Sequence, residues 1–241
     1  MNRPAKPETA LVVTATQRLS PTMIRVSFRS DDLSAFSSSV FTDRYVKLVF
    51  PQVDGEVVRT YTALNPSVED GTLDIDFVVH GTEGYAGPWA AAAKPGDTLA
   101  ARGPGGAYSP DPEADWHLIA GDETALPAIA RILAEAAPTA VGTALLEVAG
   151  PAEEQPLPAP AGVTVRWLHR GATPPGESTL LIDAVAGLDR PAGDDVFAWV
   201  AAESAAVRAI RADLRGRWGL GRAQHHAIGY WRRGRAMSPS G

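Results

Sequence analysis

"WHLIAGDETALPAIARILAEAA", residues 116–137, marks a change of rhythm in the chain. Residues 116–121 are a short apolar run closing on Gly121, as expected of a buried strand. Residues 124–137 read as the helix that follows, with Pro127 in its first turn. Asp122, Glu123 and Thr124 lie between, where their side-chain oxygens can cap the helix. The free N–H groups of a helix start can also receive a phosphate or a nicotinamide amide. Two acids at that end would repel an anion, and capping alone explains the composition about as well.

Downstream the alternation continues. Strands are expected at "ALLEVAG" (144–150), "VTVRWLH" (163–169), "VFAWVAAE" (196–203) and "AQHHAIGYWR" (223–232), with helices near 178–186 and 204–217. Buried strands alternating with helices indicate a parallel α/β sheet. In open sheets of that kind ligands sit beyond the carboxyl ends of the strands. Residues 153–162 and 171–177 read as loops, and the residues after Gly234 as a frayed tail.

Upstream the chain consists of short strands and turns. Residues 11–20, 22–30, 44–51, 56–62 and 72–80 are rich in β-branched and aromatic residues, and 98–103 can add a last strand. In 72–79 the alternation is clear: Leu73, Ile75, Phe77 and Val79 against Thr72, Asp74, Asp76 and Val78. Such a series suggests an antiparallel barrel or sandwich. Residues 85–94 look like one short helix stopped by "PGD" (95–97), and "GPGG" (103–106) reads as a plain turn. The joint between the halves is expected in "YSPDPEAD", residues 108–115.

The bulk numbers exclude several classes. A net charge of −6 argues against a nucleic-acid binder and against adhesion to an anionic membrane. The absence of cysteine removes disulfides, thiolate metal sites and iron–sulfur clusters. No apolar run has membrane-spanning length, and "MNRPAKPETA" lacks the apolar core of a signal peptide, so a cytoplasmic protein is expected. The five histidines show no ligand spacing, so no metal site is expected. From Ser204 onward eight arginines face a single acid, Asp213, an asymmetry compatible with a local anion site.

One further run carries chemistry. In "RTYTALNP" (59–66), Arg59 and Tyr61 would share one strand face, Thr60 and Thr62 the other, and Asn65-Pro66 would end the run in a turn. A guanidinium can fork onto a phosphate, a phenol can lie against a planar ring, and a hydroxyl can bond the ring edge. An ordinary edge strand with a surface arginine would look the same by spacing alone.

Taken in order, "RTYT" (59–62), "DFVVHG" (76–81), "WAAAAKPGD" (89–97), "RGPGG" (102–106), "AGDETALPAI" (120–129), "WLHR" (167–170), "AWVAAESAAVRAIRADL" (198–214) and "GYWRRG" (229–234) resemble the siderophore-interacting protein family. These are flavin-dependent ferric-siderophore reductases related to ferredoxin reductases. The resemblance implies an FAD-binding β-barrel over 1–110, an NAD(P)H-binding α/β domain over 111–235 and a flexible tail over 236–241. It implies that Arg59 grips the pyrophosphate of non-covalent FAD, while Tyr61 and Thr62 stand beside the reacting ring, one stacking on it and one bonding near its N5 edge. Asp76, Val78 and His80 would lie along the flavin. Gly84, Ala86 and Trp89 would cover its diphosphate or adenine end. Asp122, Glu123, Thr124, Ala125 and Pro127 would border the nicotinamide. Glu203 would stand at its strand end and Trp231 at the flavin's far side. Arg232 and Arg233 would help to dock an anionic ferric siderophore. Arg170 can meet a 2′-phosphate, although a loop arginine is more often exposed.

This sequence departs from the family pattern at Ala63-Leu64, where relatives carry Pro-Arg, at Gly84-Tyr85-Ala86-Gly87, and at Ala202. The implied reaction moves a hydride from NAD(P)H to FAD and then single electrons to siderophore iron, which is released as Fe(II). Reduced ferredoxin is an alternative donor, and a monomer is the default state. Two other readings stay open: a flavin reductase with a non-iron acceptor, and a non-catalytic siderophore or flavin carrier.

Overall fold

The computed structural model describes residues 8–52, 55–79, 84–109, 111 and 113–234. The chain divides into two compact units, with the division between Ser109 and Pro110. His80 and the tail residues 236–241 lie outside the described residues.

The first unit is an antiparallel half-barrel. Its strands are β1 (Glu8–Ser20), β2 (Met23–Arg29), β3 (Tyr45–Gln52), β4 (Gly55–Thr62), β5 (Leu64–Ser67), β6 (Thr72–Val78) and β7 (Thr98–Gly105), in the order β4-β3-β7-β1-β2-β6-β5. The register slips between Val13 and Ala15 and between Arg18 and Ser20 of β1, and between Tyr45 and Lys47 of β3. Such bulges curl a sheet. The alternation in β6 turns Leu73, Ile75 and Phe77 into the core, each at most 1% exposed, where Val26, Phe28 and Leu48 meet them. Burying each such side chain stabilises the fold by about 1.5–3 kcal/mol. Helix α1 (Ala86–Ala92) drops Trp89 into this core, with its ring 5.8 Å from those of Phe50 and Phe77.

Two expectations fail here. Asn65-Pro66 does not end in a turn but belongs to β5, which pairs with β6 alone. At that sheet edge the missing N–H of Pro66 costs no ladder bond, and Asn65 takes a positive φ of 46°. "GPGG" is likewise no plain turn, because β7 runs through Gly105, opposite Tyr45.

The second unit is a five-stranded parallel sheet with helices. Strands β8 (Trp116–Asp122), β9 (Val141–Val148), β10 (Gly162–His169), β11 (Val196–Glu203) and β12 (His225–Trp231) stand in the order β10-β9-β8-β11-β12. Helices α2 (Leu126–Glu135), α3 (Leu180–Ala186) and α4 (Ser204–Gly216) complete it. The chain steps outward from β8 to β10, then returns to the other side of β8 for β11. The gap between β8 and β11 is therefore the topological switch point. Ala198–Ala202 of β11 are at most 1% exposed, as the unbroken apolar run required.

Close approach between β8 and β9 depends on Gly142, where a Cβ would lie 2.2 Å from the carbonyl oxygen of His117. That oxygen is backbone and cannot swing aside. Gly142→Ala is expected to lower stability by about 1–3 kcal/mol, read as a shift of the urea midpoint.

Candidate functional site

In the first unit the inner face of β4 presents Arg59 and Tyr61 together. Tyr61 packs on the barrel core, with its ring 4.5 Å from that of Phe77, and it remains half-buried rather than sealed. Burial pushes its hydroxyl well above the usual phenol range, so it stays protonated. Arg59 is also half-buried. Its Nη1 donates to the carbonyl of Val58 at 2.9 Å, and its guanidinium carbon lies 5.7 Å from the centre of the Tyr85 ring. Among the described residues no carboxylate pairs with Arg59. Strand alternation carries Thr60 and Thr62 to the other face, where Thr62 is buried.

The neighbouring candidates divide by what already holds them. Asp76 is buried, and its carboxylate takes a forked pair of bonds from Arg25, at 2.7 and 2.8 Å, across β2 and β6. Val78 ends β6 half-buried, and α1 sits close to its carbonyl, so that a Cβ on Gly87 would come within 3.3 Å of that oxygen. Gly84 precedes the helix at a positive φ of 80°, and Ala86 is buried at its start. The Trp89 ring lies within the aromatic core, stacked on Phe28 at 6.3 Å. The sequence reading missed Arg25 and the position of Tyr85 beneath Arg59. Tyr85 was legible only as a departure from the family pattern.

In the second unit the candidates gather at the carboxyl ends of the strands. Asp122 closes β8, and each of its oxygens is doubly occupied. Oδ1 accepts the Thr124 N–H at 3.0 Å and the Thr124 hydroxyl at 2.5 Å. Oδ2 accepts the Glu203 N–H at 2.9 Å and the Trp231 indole N–H at 2.7 Å. Asp122 thereby joins β8, β11 and β12 at the switch point, and it is not the helix cap that the sequence suggested. Helix α2 starts at Leu126 from Ala125, with no side-chain cap and with Pro127 in its first turn. Burial, with help from the neighbouring Glu123 charge, pushes the Asp122 carboxyl up to about 6.

Glu123 is neutralised. Arg170 forks onto it at 2.8 and 2.6 Å, and both side chains are buried. Arg170 is therefore no exposed loop residue free to meet a 2′-phosphate, although its Nε–H, also buried, has no partner among the described residues. Pairing removes the repulsion that two acids would offer an anion at this edge. Glu203 caps α4 by accepting from the N–H groups of Ala205 and Ala206, and its other oxygen receives the Arg233 N–H at 3.2 Å. The Arg233 guanidinium pairs with Glu177, whereas Arg232 is exposed and carries no ion pair among the described residues.

Residues 170–179 run across this edge as a strap. They leave β10 at Arg170, bound to Glu123 at the end of β8. They then pass over Glu203 and Trp231, where Gly176, at φ 74°, leaves no room for a Cβ, which would sit 2.9 Å from the indole. Glu177 ties the strap to Arg233. The chain finally returns to β9, where Glu147 accepts the Leu181 N–H at 3.1 Å.

Two outcomes follow from the paired acids. Unfolded aspartate releases its proton near pH 3.9, whereas folded Asp122 keeps it to about 6. Between those values the folded state holds the extra proton. Stability therefore falls as pH rises through this window, by at most about 1.4 kcal/mol per pH unit from this group, and is level above it. Urea unfolding across the window checks the slope, and the part of the tryptophan emission lost in Trp231→Phe should titrate near the same value. Arg170→Met strands a buried carboxylate and is expected to cost about 3–5 kcal/mol, most of it recovered on adding Glu123→Leu, as read by denaturant unfolding.

The chain matches the description "Siderophore-interacting FAD-binding domain" over residues 12–58 and 53–108, and "Siderophore-interacting protein" over 114–234. A siderophore utilization protein of known structure from T. fusca is 39% identical, with a TM-score of 0.87 over 95% of this chain and 94% of that one. Ferric vibriobactin reductase ViuB of Vibrio cholerae is 34% identical over 90% of this chain and 86% of that protein. The fold alone extends further: the ferredoxin reductase in carbazole 1,9a-dioxygenase has a TM-score of 0.73 at 20% identity, covering 93% of this chain and 68% of that one. With both halves matched in order, the chain belongs to the siderophore-interacting protein family, built on a ferredoxin-reductase-like fold.

Proposed function

We propose that the chain is a flavin-dependent reductase that takes electrons from NAD(P)H and delivers them through FAD to ferric siderophores, as a single chain in the cytoplasm. The observation that carries the reading is the pairing of Arg59 and Tyr61 on one inner strand face, with a cation whose N–H edge meets no carboxylate among the described residues. Membership of the family and the activity named for ViuB support it.

The residues present fit FAD. Arg59 would hold a phosphate through its free edge, Tyr61 would lay its protonated ring on the isoalloxazine, and Val78, Gly84 and Ala86 would border it from β6 and the start of α1, with Thr62 contributing its backbone because its side chain is buried on the other face of β4. Asp76 would act through its backbone, since Arg25 occupies its carboxylate. When bound, FAD supplies the conversion of a hydride into single electrons. The protein's own work is to bind, orient and set the local field. In the second unit Arg170 cancels the charge of Glu123, and Asp122 fixes Glu203 and Trp231, giving a neutralised edge bordered by Thr124, Ala125 and Pro127 for the donor. Arg232 offers its charge to an anionic chelate, while the charge of Arg233 is offset by Glu177. The siderophore furnishes all ligands of its iron, and reduction to Fe(II) weakens the hold of hard oxygen donors.

One observation favours a second donor. The strap packs over Glu203 and Trp231 at the carboxyl edge, where open-sheet ligands sit, and a covered edge suits reduced ferredoxin docking from outside better than a bound nicotinamide.

The deciding experiment is anaerobic stopped-flow of the FAD-loaded protein with NADH, NADPH and reduced ferredoxin, followed by ferric chelates and an Fe(II) trap. Bleaching of the flavin band and trapped Fe(II) are expected. Bleaching that spares iron points to another acceptor, and a colourless protein that binds ferric chelate is a carrier. Arg59→Ala is expected to weaken FAD binding by roughly 10- to 100-fold, the worth of a charge-assisted hydrogen bond, as read by fluorescence quenching.

A further inference from the structure

We propose that Tyr85 is the positioning residue of the phosphate anchor: its ring holds the Arg59 guanidinium by one face, so that the N–H edge stays open to a flavin phosphate. The inference rests on the flavin reading above and deepens it.

A guanidinium can be held in two ways. A carboxylate takes its edge and consumes the donors, whereas an aromatic ring takes its face and leaves them. The first unit contains both. Arg25 gives its edge to Asp76, and Arg102 is shared by Glu8 and Glu56. Arg59 alone of the three lies over a ring, 5.7 Å from the centre of Tyr85. Among the described residues its remaining bond is from Nη1 to the carbonyl of the adjacent Val58, which leaves the rest of the fork unspent there. A carboxylate at position 85 would compete with phosphate. A small residue there would leave a long side chain to be ordered at the moment of binding.

The ring is also placed firmly. The carbonyl of Tyr85 accepts the Trp89 N–H at 3.2 Å in the first turn of α1. Trp89 is itself locked among Phe28, Phe50 and Phe77. The barrel core thus fixes the backbone from which Tyr85 reaches Arg59. The ring itself is 43% exposed, so its removal leaves the core intact.

FAD and FMN share the tricyclic ring and a phosphate, but only FAD carries adenine. Both are titrated against the wild type, Tyr85→Ala and Tyr85→Phe by fluorescence quenching, with thermal melts confirming the fold. Tyr85→Ala is expected to weaken both flavins by roughly three- to tenfold. Tyr85→Phe should restore both, because it keeps the ring face, and the loss in Tyr85→Ala should shrink at high salt, where phosphate attraction is screened. Weakening of FAD alone would mean that the ring stacks on adenine, and it overturns the proposal. So does an unchanged affinity for both flavins, or a Tyr85→Phe variant as weak as Tyr85→Ala. A wild-type chain that binds neither flavin overturns the underlying flavin reading as well, a result distinct from all of these.

Discussion

The carboxylate of Asp122 accepts four hydrogen bonds, three from N–H groups that can only donate and one from the Thr124 hydroxyl. An amide nitrogen in place of Oδ2 would turn its hydrogens toward two N–H groups, so that side of position 122 calls for an acceptor. Through these bonds the ends of β8, β11 and β12 are tied into one ledge by side chains, above a ladder that already sets Ala201 beside Gly121 and Glu203 beside Trp231. The arrangement is strained electrostatically, since burial opposes the charge that the donors favour. Its neighbour Glu123 meets the same burial by a different solution, a forked guanidinium. Adjacent acids are thus stabilised once by dipoles and once by a counter-charge, and the ledge carries less net charge than its sequence implies.

The same distinction separates the arginines of the first unit. Arg25 and Arg102 spend their donors on the protein's own acids and serve the sheet. Arg59 spends one on a neighbouring carbonyl and lies over a ring. Satisfied ion pairs are structure, while an unsatisfied edge beside a half-buried phenol is an invitation to a ligand. That contrast, more than the motif in which Arg59 sits, sets β4 apart within the half-barrel.

Much of the architecture could be read in the chain. The alternation of Leu73, Ile75 and Phe77 against Thr72, Asp74 and Asp76 reports a sheet with one face in a core, and the run at 116–121 reports a strand buried on both. The ordered motifs identified the family before any coordinates. Illegible were the facts that depend on distant chain segments. Arg170 lies 47 residues from Glu123, and no local pattern signals their pair. Asn65-Pro66 has the composition of a turn, and only its place at a sheet edge makes it a strand. Asp122 looked like a helix cap because capping is local, whereas only its Oδ1 has a local partner, Thr124, and its Oδ2 is held by donors 81 and 109 residues away. Local chemistry is written in neighbouring letters, but a carboxylate's eventual donors are chosen by topology.

The strap over 170–179 has anchors of opposite character. The Arg170 end is sealed from solvent, whereas Glu177 and Arg233 face water at about half exposure. Ionic strength weakens exposed attractions and scarcely touches sealed ones. Breathing of this segment is therefore uneven: raising the salt frees its middle at Glu177 first and leaves it held at Arg170 and at Leu181, so a protease probing the native molecule would nick near Gly176 long before it reached either root of the loop.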